Sequence, residues 1–169
     1  PYLSIAAFSG VRSAEIERLD WKQINLDEGF IRVTGAIAKT ASNRLATVPD
    51  NLKAWLLPHR SASGPITPFA NMPNQLDWIV SDVNEAREQS GRESDFKWKR
   101  NGLRHSFISY RLAELRDIAR VSDEAGNSPQ MILKHYRKLV TPKEATEWFS
   151  VGPDSVSHKI LTIESKECR

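Results

Sequence analysis

The run Phe8-Ser9-Gly10-Val11-Arg12-Ser13-Ala14-Glu15-Ile16 ends one helix and starts another within nine residues. Leu3, Ile5, Ala6, Ala7 and Phe8 make an apolar stretch before it, and Gly10 supplies the stop. Ser13 stands where a helix cap is expected, and Ile16 and Leu19 then share one helical face. Glu15 follows Arg12 by one turn, a spacing at which a carboxylate can orient a guanidinium. An apolar stretch directly after Pro1 predicts a piece of a longer protein.

Working outward, Gly29-Phe30-Ile31-Arg32-Val33-Thr34 and Leu45-Ala46-Thr47-Val48 read as two strands. Between them Gly35, Lys39, Thr40, Ser42 and Asn43 suit an exposed hairpin turn. Pro49-Asp50 opens a helix through Trp55 and Leu57, and the Pro-, Ser- and Gly-rich residues 58–73 read as a surface loop. Helices are predicted from Asn74 to about Ser90, with Leu76, Ile79, Val80 and Val83 at helical spacing, from Gly102 to about Leu115, and from Asp117 to Ala125. Ser128-Pro129 starts another that runs to Tyr136, and Thr141-Pro142-Lys143-Glu144 starts the last, carrying Ala145, Trp148 and Phe149. The expected class is mainly α with a small antiparallel β-sheet (α+β).

A chain of 169 residues with 40% hydrophobic and 27% charged side chains fits one globular domain. No apolar run approaches the roughly 18 residues of a membrane span, so no membrane association is expected. Cys168 is the single cysteine, which excludes an internal disulfide and predicts a reducing, cytoplasmic setting. The net charge is only +3, but its distribution is uneven. Between Arg92 and Arg111 six basic residues (Arg92, Lys97, Lys99, Arg100, Arg104, Arg111) face only Glu93 and Asp95. Lys134, Arg137, Lys138 and Lys143 form a second basic stretch around Tyr136. Such runs are most often solvated faces, and alone they are a weak sign of a polyanionic partner.

Three boxes together resemble the tyrosine site-specific recombinases, the phage-integrase family. Gly10-Val11-Arg12-Ser13-Ala14-Glu15 is similar to their Gly-x-Arg-x-x-Glu box, and Asn101-Gly102-Leu103-Arg104-His105-Ser106 to their His-x-Leu-Arg-His-Ser/Thr box. Gly126-Asn127-Ser128 followed by Tyr136 resembles Gly-His-Ser and the nucleophilic tyrosine nine residues past the histidine. Lys39 falls in the hairpin where the family places its catalytic lysine. Each box is short and weak alone; their order, with a strand–lysine–strand unit between the first two, is specific. The resemblance covers residues 1–150 as a catalytic domain, without the family's N-terminal core-binding domain, and leaves 151–169 as a tail.

This resemblance implies the family's catalytic-domain fold, with a small three-stranded sheet on one edge of a helical body. It also implies strand cleavage and rejoining in duplex DNA, within a homo-tetramer joined through the C-terminal segment. Attack on a phosphodiester builds a second negative charge, which Arg12 and Arg104 would clamp. Tyr136 would be the nucleophile, forming a covalent 3′-phosphotyrosine, and Lys39 would protonate the leaving 5′-oxygen. The phosphotyrosine conserves the bond energy, so no cofactor, ATP or metal is needed. Glu15 and His105 would support the site, while Lys97, Lys99, Arg100, Lys134, Arg137 and Lys138 would contact DNA.

Two positions depart from the pattern. Asn101 and Asn127 stand where the second and third boxes have histidine (or tryptophan at the third). An amide can donate a hydrogen bond but cannot exchange a proton at neutral pH, and general acid–base help is worth about 10²–10⁴ in rate. The alternative reading is therefore a degenerate relative that binds DNA or a recombinase partner without cutting. His105 and His135 adjoin Arg104 and Tyr136, but adjacent helical residues point about 100° apart. Both are expected to be structural rather than to share the phosphate-facing surface.

Overall fold

The computed structural model describes residues 1–37, 43–136 and 140–154. Lys39, Arg137, Lys138 and residues 155–169 lie outside this set. Eight α-helices are found among the described residues: α1 (Tyr2–Phe8), α2 (Ser13–Ile16), α3 (Asp50–Leu56), α4 (Met72–Gln89), α5 (Gly102–Leu115), α6 (Ile118–Ala125), α7 (Pro129–Tyr136) and α8 (Pro142–Phe149). The strands β1 (Ile24–Asn25), β2 (Phe30–Val33) and β3 (Arg44–Thr47) form one antiparallel sheet in the order β1-β2-β3. The register pairs Ile31 with Ala46 and Val33 with Arg44.

The chain folds around α5, against which α1, α6, α7 and α8 all pack. One core cluster joins α1, the sheet and α3 through Ile5, Val11, Ile16, Leu19, Ile31 and Leu52. A second joins α5, α6 and α7 through Phe107, Ile108, Val121, Ala125 and Ile132, and Phe149 of α8 packs on both. Gly10 is the hinge between them. Its φ of +67° favours glycine, and a Cβ there would lie 2.5 Å from the Phe107 ring. Thus the glycine of the first box lets the chain press against α5.

Several local expectations are met with physical detail. Ser128 Oγ accepts from the Met131 N–H, and Thr141 and Glu144 form a reciprocal capping box at α8. Others need correction. Ser13 is inside α2 rather than capping it; the cap position is Arg12, in extended conformation. Helix α4 begins earlier than predicted because Asn71 caps it and Pro73 fits in the first turn, where no N–H is needed. Its apolar face is only partly covered, with Met72 its one buried residue and Trp78 67% exposed. Among the described residues no helix is long and apolar enough to cross a membrane.

The segment 141–149 was expected to pack against a core groove, in cis or on a neighbouring protomer; here it packs on its own chain. Trp148 stacks on Tyr110 with centroids 4.6 Å apart and donates from Nε1 to the Ala7 carbonyl at 3.3 Å. Phe149 sits edge-on to Phe107, and Ala145 is fully buried. The apolar residues offered to a partner are used in cis.

Candidate active site

The last turn of α6 organises the site. An α-helix ends with carbonyls that lack intrahelical partners and carry partial negative charge. Here three consecutive carbonyls each accept from a different arginine. Arg44 Nε donates to Glu124 O at 3.3 Å, Arg104 Nη2 to Ala125 O at 2.7 Å, and Arg12 Nη2 to Gly126 O at 2.6 Å. Gly126 makes this end possible: its φ is +64°, and a Cβ would meet the Arg44 guanidinium at 3.1 Å. One helix end therefore gathers guanidinium groups from the first box, the sheet and α5.

Glu15 keeps this cluster from being purely repulsive. It is fully buried and accepts from Arg12 N and Nη1, both at 2.9 Å, and from Arg44 Nη2 at 2.5 Å and Nη1 at 3.2 Å. Burial alone would raise its carboxyl, but hydrogen bonds and charge from Arg44 and Arg12 outweigh that and hold it below the ordinary range. The Arg44 side chain is 6% exposed, whereas the Arg12 side chain keeps 27% of its surface open. Arg44 was not assigned a role from sequence; strand alternation supplies the missing signal. Arg44 falls on the same strand parity as Ala46, which is fully buried, so its charge is carried inward and needs a carboxylate.

Arg104 differs from both. It is 7% exposed, and Nη1 donates to Gly10 O while Nη2 donates to Ala125 O and, at 2.5 Å, to Asn127 Oδ1. Among the described residues no carboxylate forms an ion pair with it. Burial, then repulsion from Arg12 and Arg44, pushes its pKa down to about 10. At neutral pH it is still charged, hydrogen-bonded to neutral oxygens only, and the nearby charge of Glu15 offsets its burial only in part. Such a group is electrostatically suited to an incoming anion.

The remaining residues sit around this pocket. Asn127 reaches Arg104 directly through its amide oxygen. Asn101 occupies the left-handed region at φ 58°, heading α5, with Oδ1 accepting a marginal 3.5 Å contact from Ser13 Oγ. Tyr136 ends α7, is 7% exposed, and lies within the field of Arg104. Burial raises its pKa, and the charge of Arg104 pulls it partly back. Its hydroxyl hydrogen-bonds His105 Nδ1, and the two rings stack at 5.5 Å with 22° between planes. His105 was expected to be a supporting, structural residue turned away from the phosphate-facing surface; the structure puts it in contact with Tyr136. Arg104 and His105 do diverge on α5, but α7 brings Tyr136 over the side that His105 occupies. His135 lies edge-on to Tyr136 at 6.4 Å. Lys97, Lys99, Arg100 and Lys134 are all exposed. Among the described residues no group of three or more His, Cys, Asp or Glu is placed to hold a metal ion.

Fold and site define a cluster of three arginines at one helix end, with Tyr136 within the electrostatic reach of Arg104, in a mainly helical domain with a small sheet. The chain is 28% identical over 141 residues to the tyrosine recombinase XerC of Xanthomonas axonopodis pv. citri (strain 306), covering 81% of this chain and 45% of that protein. Its fold matches the crystal structure of XerA recombinase with a TM-score of 0.56 at 21% identity, covering 85% of this chain and 53% of that one. No protein-family model matches the chain. The chain spans about half the length of these relatives. The sequence likeness is thus to a tyrosine recombinase, and the structural likeness shows the fold that this domain shares with a recombinase of known structure.

Proposed function

We propose that this domain cleaves and rejoins DNA strands through Tyr136. The observation that carries the reading is the convergence of Arg12, Arg44 and Arg104 on one helix end, with Arg104 buried and bonded to neutral oxygens rather than to a carboxylate. A phosphodiester entering beside Arg12 would meet two guanidinium groups able to stabilise the charge added on attack. Tyr136 Oη would bond to phosphorus while the 5′-oxygen leaves and takes a proton from Lys39. The product is a 3′-phosphotyrosine, and attack by a 5′-hydroxyl reverses the step. Lys97, Lys99 and Arg100 before α5, with Lys134, Arg137 and Lys138 around the nucleophile, would hold the phosphate backbone on either side. The active assembly would be a tetramer on two DNA sites, acting in the cytoplasm.

The second reading, a DNA-binding relative that does not cut, is favoured by one observation. Asn101 and Asn127 put amides where the family's general acid–base groups stand. The two readings are separated by incubating the protein with nicked duplexes randomised around the scissile phosphate. Denaturing electrophoresis then reveals any strand covalently attached to protein. A covalent product, lost in Tyr136→Phe, supports cleavage. Retained DNA binding with no product, in both the parent and the Asn101→His/Asn127→His variant, supports the non-cutting reading.

A further inference from the structure

Tyr136 needs a proton acceptor. Its phenol is held above its ordinary pKa by burial, so at neutral pH it carries its proton when attack begins. Asn101 and Asn127 cannot take that proton. Asn127 is occupied with Arg104, and the contact of Asn101 is with Ser13. The group that does touch the phenolic oxygen is His105, through Nδ1, with the two rings stacked. His105 is itself exposed on an open cavity lined also by Ser106, Ser109, Tyr110 and His135, so a proton taken up there can pass to solvent.

We propose that His105 is the general base for the Tyr136 nucleophile, replacing the proton exchange that Asn101 and Asn127 cannot provide. This rests on the cleavage reading above. As Tyr136 Oη bonds to phosphorus and the P–O5′ bond breaks, the phenolic proton passes to His105 Nδ1. The departing 5′-oxygen takes its own proton from the Lys39 ammonium. In rejoining, the incoming 5′-hydroxyl returns a proton to Lys39, and His105 returns one to the tyrosine oxygen. For Nδ1 to accept, the neutral ring carries its hydrogen on Nε2.

Other titratable and charged groups face this pair. On α5 this is Arg104, whose charge reaches Tyr136; on α7 it is the edge-on His135. Asp95, Lys97, Lys99 and Arg100 share a second open cavity with His105. Of these only His135 is, like His105, an imidazole able to exchange a proton. It is therefore the required control.

The test is single-turnover adduct formation on a nicked duplex recovered from the randomised pool, measured from pH 5 to 8. The parent rate is expected to fall as pH drops, and His135→Gln to keep that fall. His105→Gln should lose about 10²-fold or more in rate, together with the pH dependence. His105→Asn retains an acceptor near the Nδ1 position but cannot exchange a proton, so it should be as slow as His105→Gln. A His105→Asn rate equal to the parent overturns the base role, because a hydrogen bond alone then suffices. So does His105→Gln within a few-fold of the parent. If the His105 variants fail to fold, the parent profile decides: a flat profile, or one lost in His135→Gln, overturns the proposal. An adduct-forming parent with insensitive His105 variants leaves the cleavage reading standing; no adduct from the parent at any pH removes both.

Discussion

Arg104 and Arg111 lie two turns apart on α5, both 7% exposed, in opposite surroundings. Arg111 is enclosed by carboxylates: Nε and Nη2 donate to Glu124, both at 2.9 Å, and Nη1 to Glu114 at 2.7 Å. Burial would lower its pKa, but these partners more than reverse that. Thr47 adds a 2.8 Å hydrogen bond to Glu124 Oε1, tying β3 to α6. Arg104 has carbonyl and amide oxygens only, and its pKa falls to about 10. A buried arginine paired directly with carboxylates is a structural tie; one bonded only to neutral oxygens keeps charge available for an anion. The same helix carries one of each. The tie fixes α6, whose last turn then presents its carbonyls to the site.

The contrast can be broken from either side. Arg111→Met leaves Glu124 buried with only Thr47 and the exposed Arg120 for partners, and is expected to cost about 3–5 kcal/mol of stability. Chemical denaturation measures this. The acid limb of stability should change too. Burial would raise the Glu124 carboxyl, but Arg111 chiefly holds it below its ordinary value. Its contribution is thus present above the unfolded pKa and lost as pH falls through the folded one. Without Arg111 that depression is largely removed, so the part of the acid loss due to Glu124 should shrink. An unchanged acid limb would show that Arg111 is not the partner that matters.

Arg104→Met should act on chemistry instead. Adduct formation is expected to drop about 10²–10³-fold, the usual cost of one lost transition-state donor. Its stability loss should be smaller than that of Arg111→Met, because it orphans no buried charge. Equal stability losses with equal activity losses would erase the distinction between tie and site. The smallest expected effect is at the turn that presents the carbonyls. Gly126→Ala forces an L-residue into the left-handed region and brings a methyl against the Arg44 guanidinium. About 1–2 kcal/mol of stability should be lost, read as a lower denaturation midpoint.

The sequence made the helical frame legible wherever caps and prolines punctuate it, as at Ser128-Pro129 and Thr141–Glu144. The two-residue strand β1 has no periodicity to detect, since one alternation cannot be told from a turn. Helix α4 shows why an apolar spacing does not guarantee a core face: the pattern marks which residues share a side, not what covers it. Within the site, the boxes pointed to Arg12, Glu15, Asn101, Arg104, Asn127 and Tyr136; the structure pairs Arg12 with Glu15 and Arg104 with Asn127, both arginines on neighbouring carbonyls at the end of α6. Arg44 and the contact of His105 with Tyr136 depend on how β3 and α7 dock, a tertiary fact that short motifs do not carry.

The central claim is that Tyr136, at the edge of the Arg104 pocket, takes the DNA phosphate. The chain contains three tyrosines, Tyr2, Tyr110 and Tyr136, and Tyr110 lines the same open cavity as Tyr136. The direct measurement is to trap the covalent product on a nicked duplex, digest it with nuclease and protease, and locate the residual nucleotide by tandem mass spectrometry. The account predicts one modified peptide carrying a nucleotide phosphate on Tyr136. A nucleotide on Tyr110 or Tyr2, or DNA binding with no modified tyrosine, would contradict it.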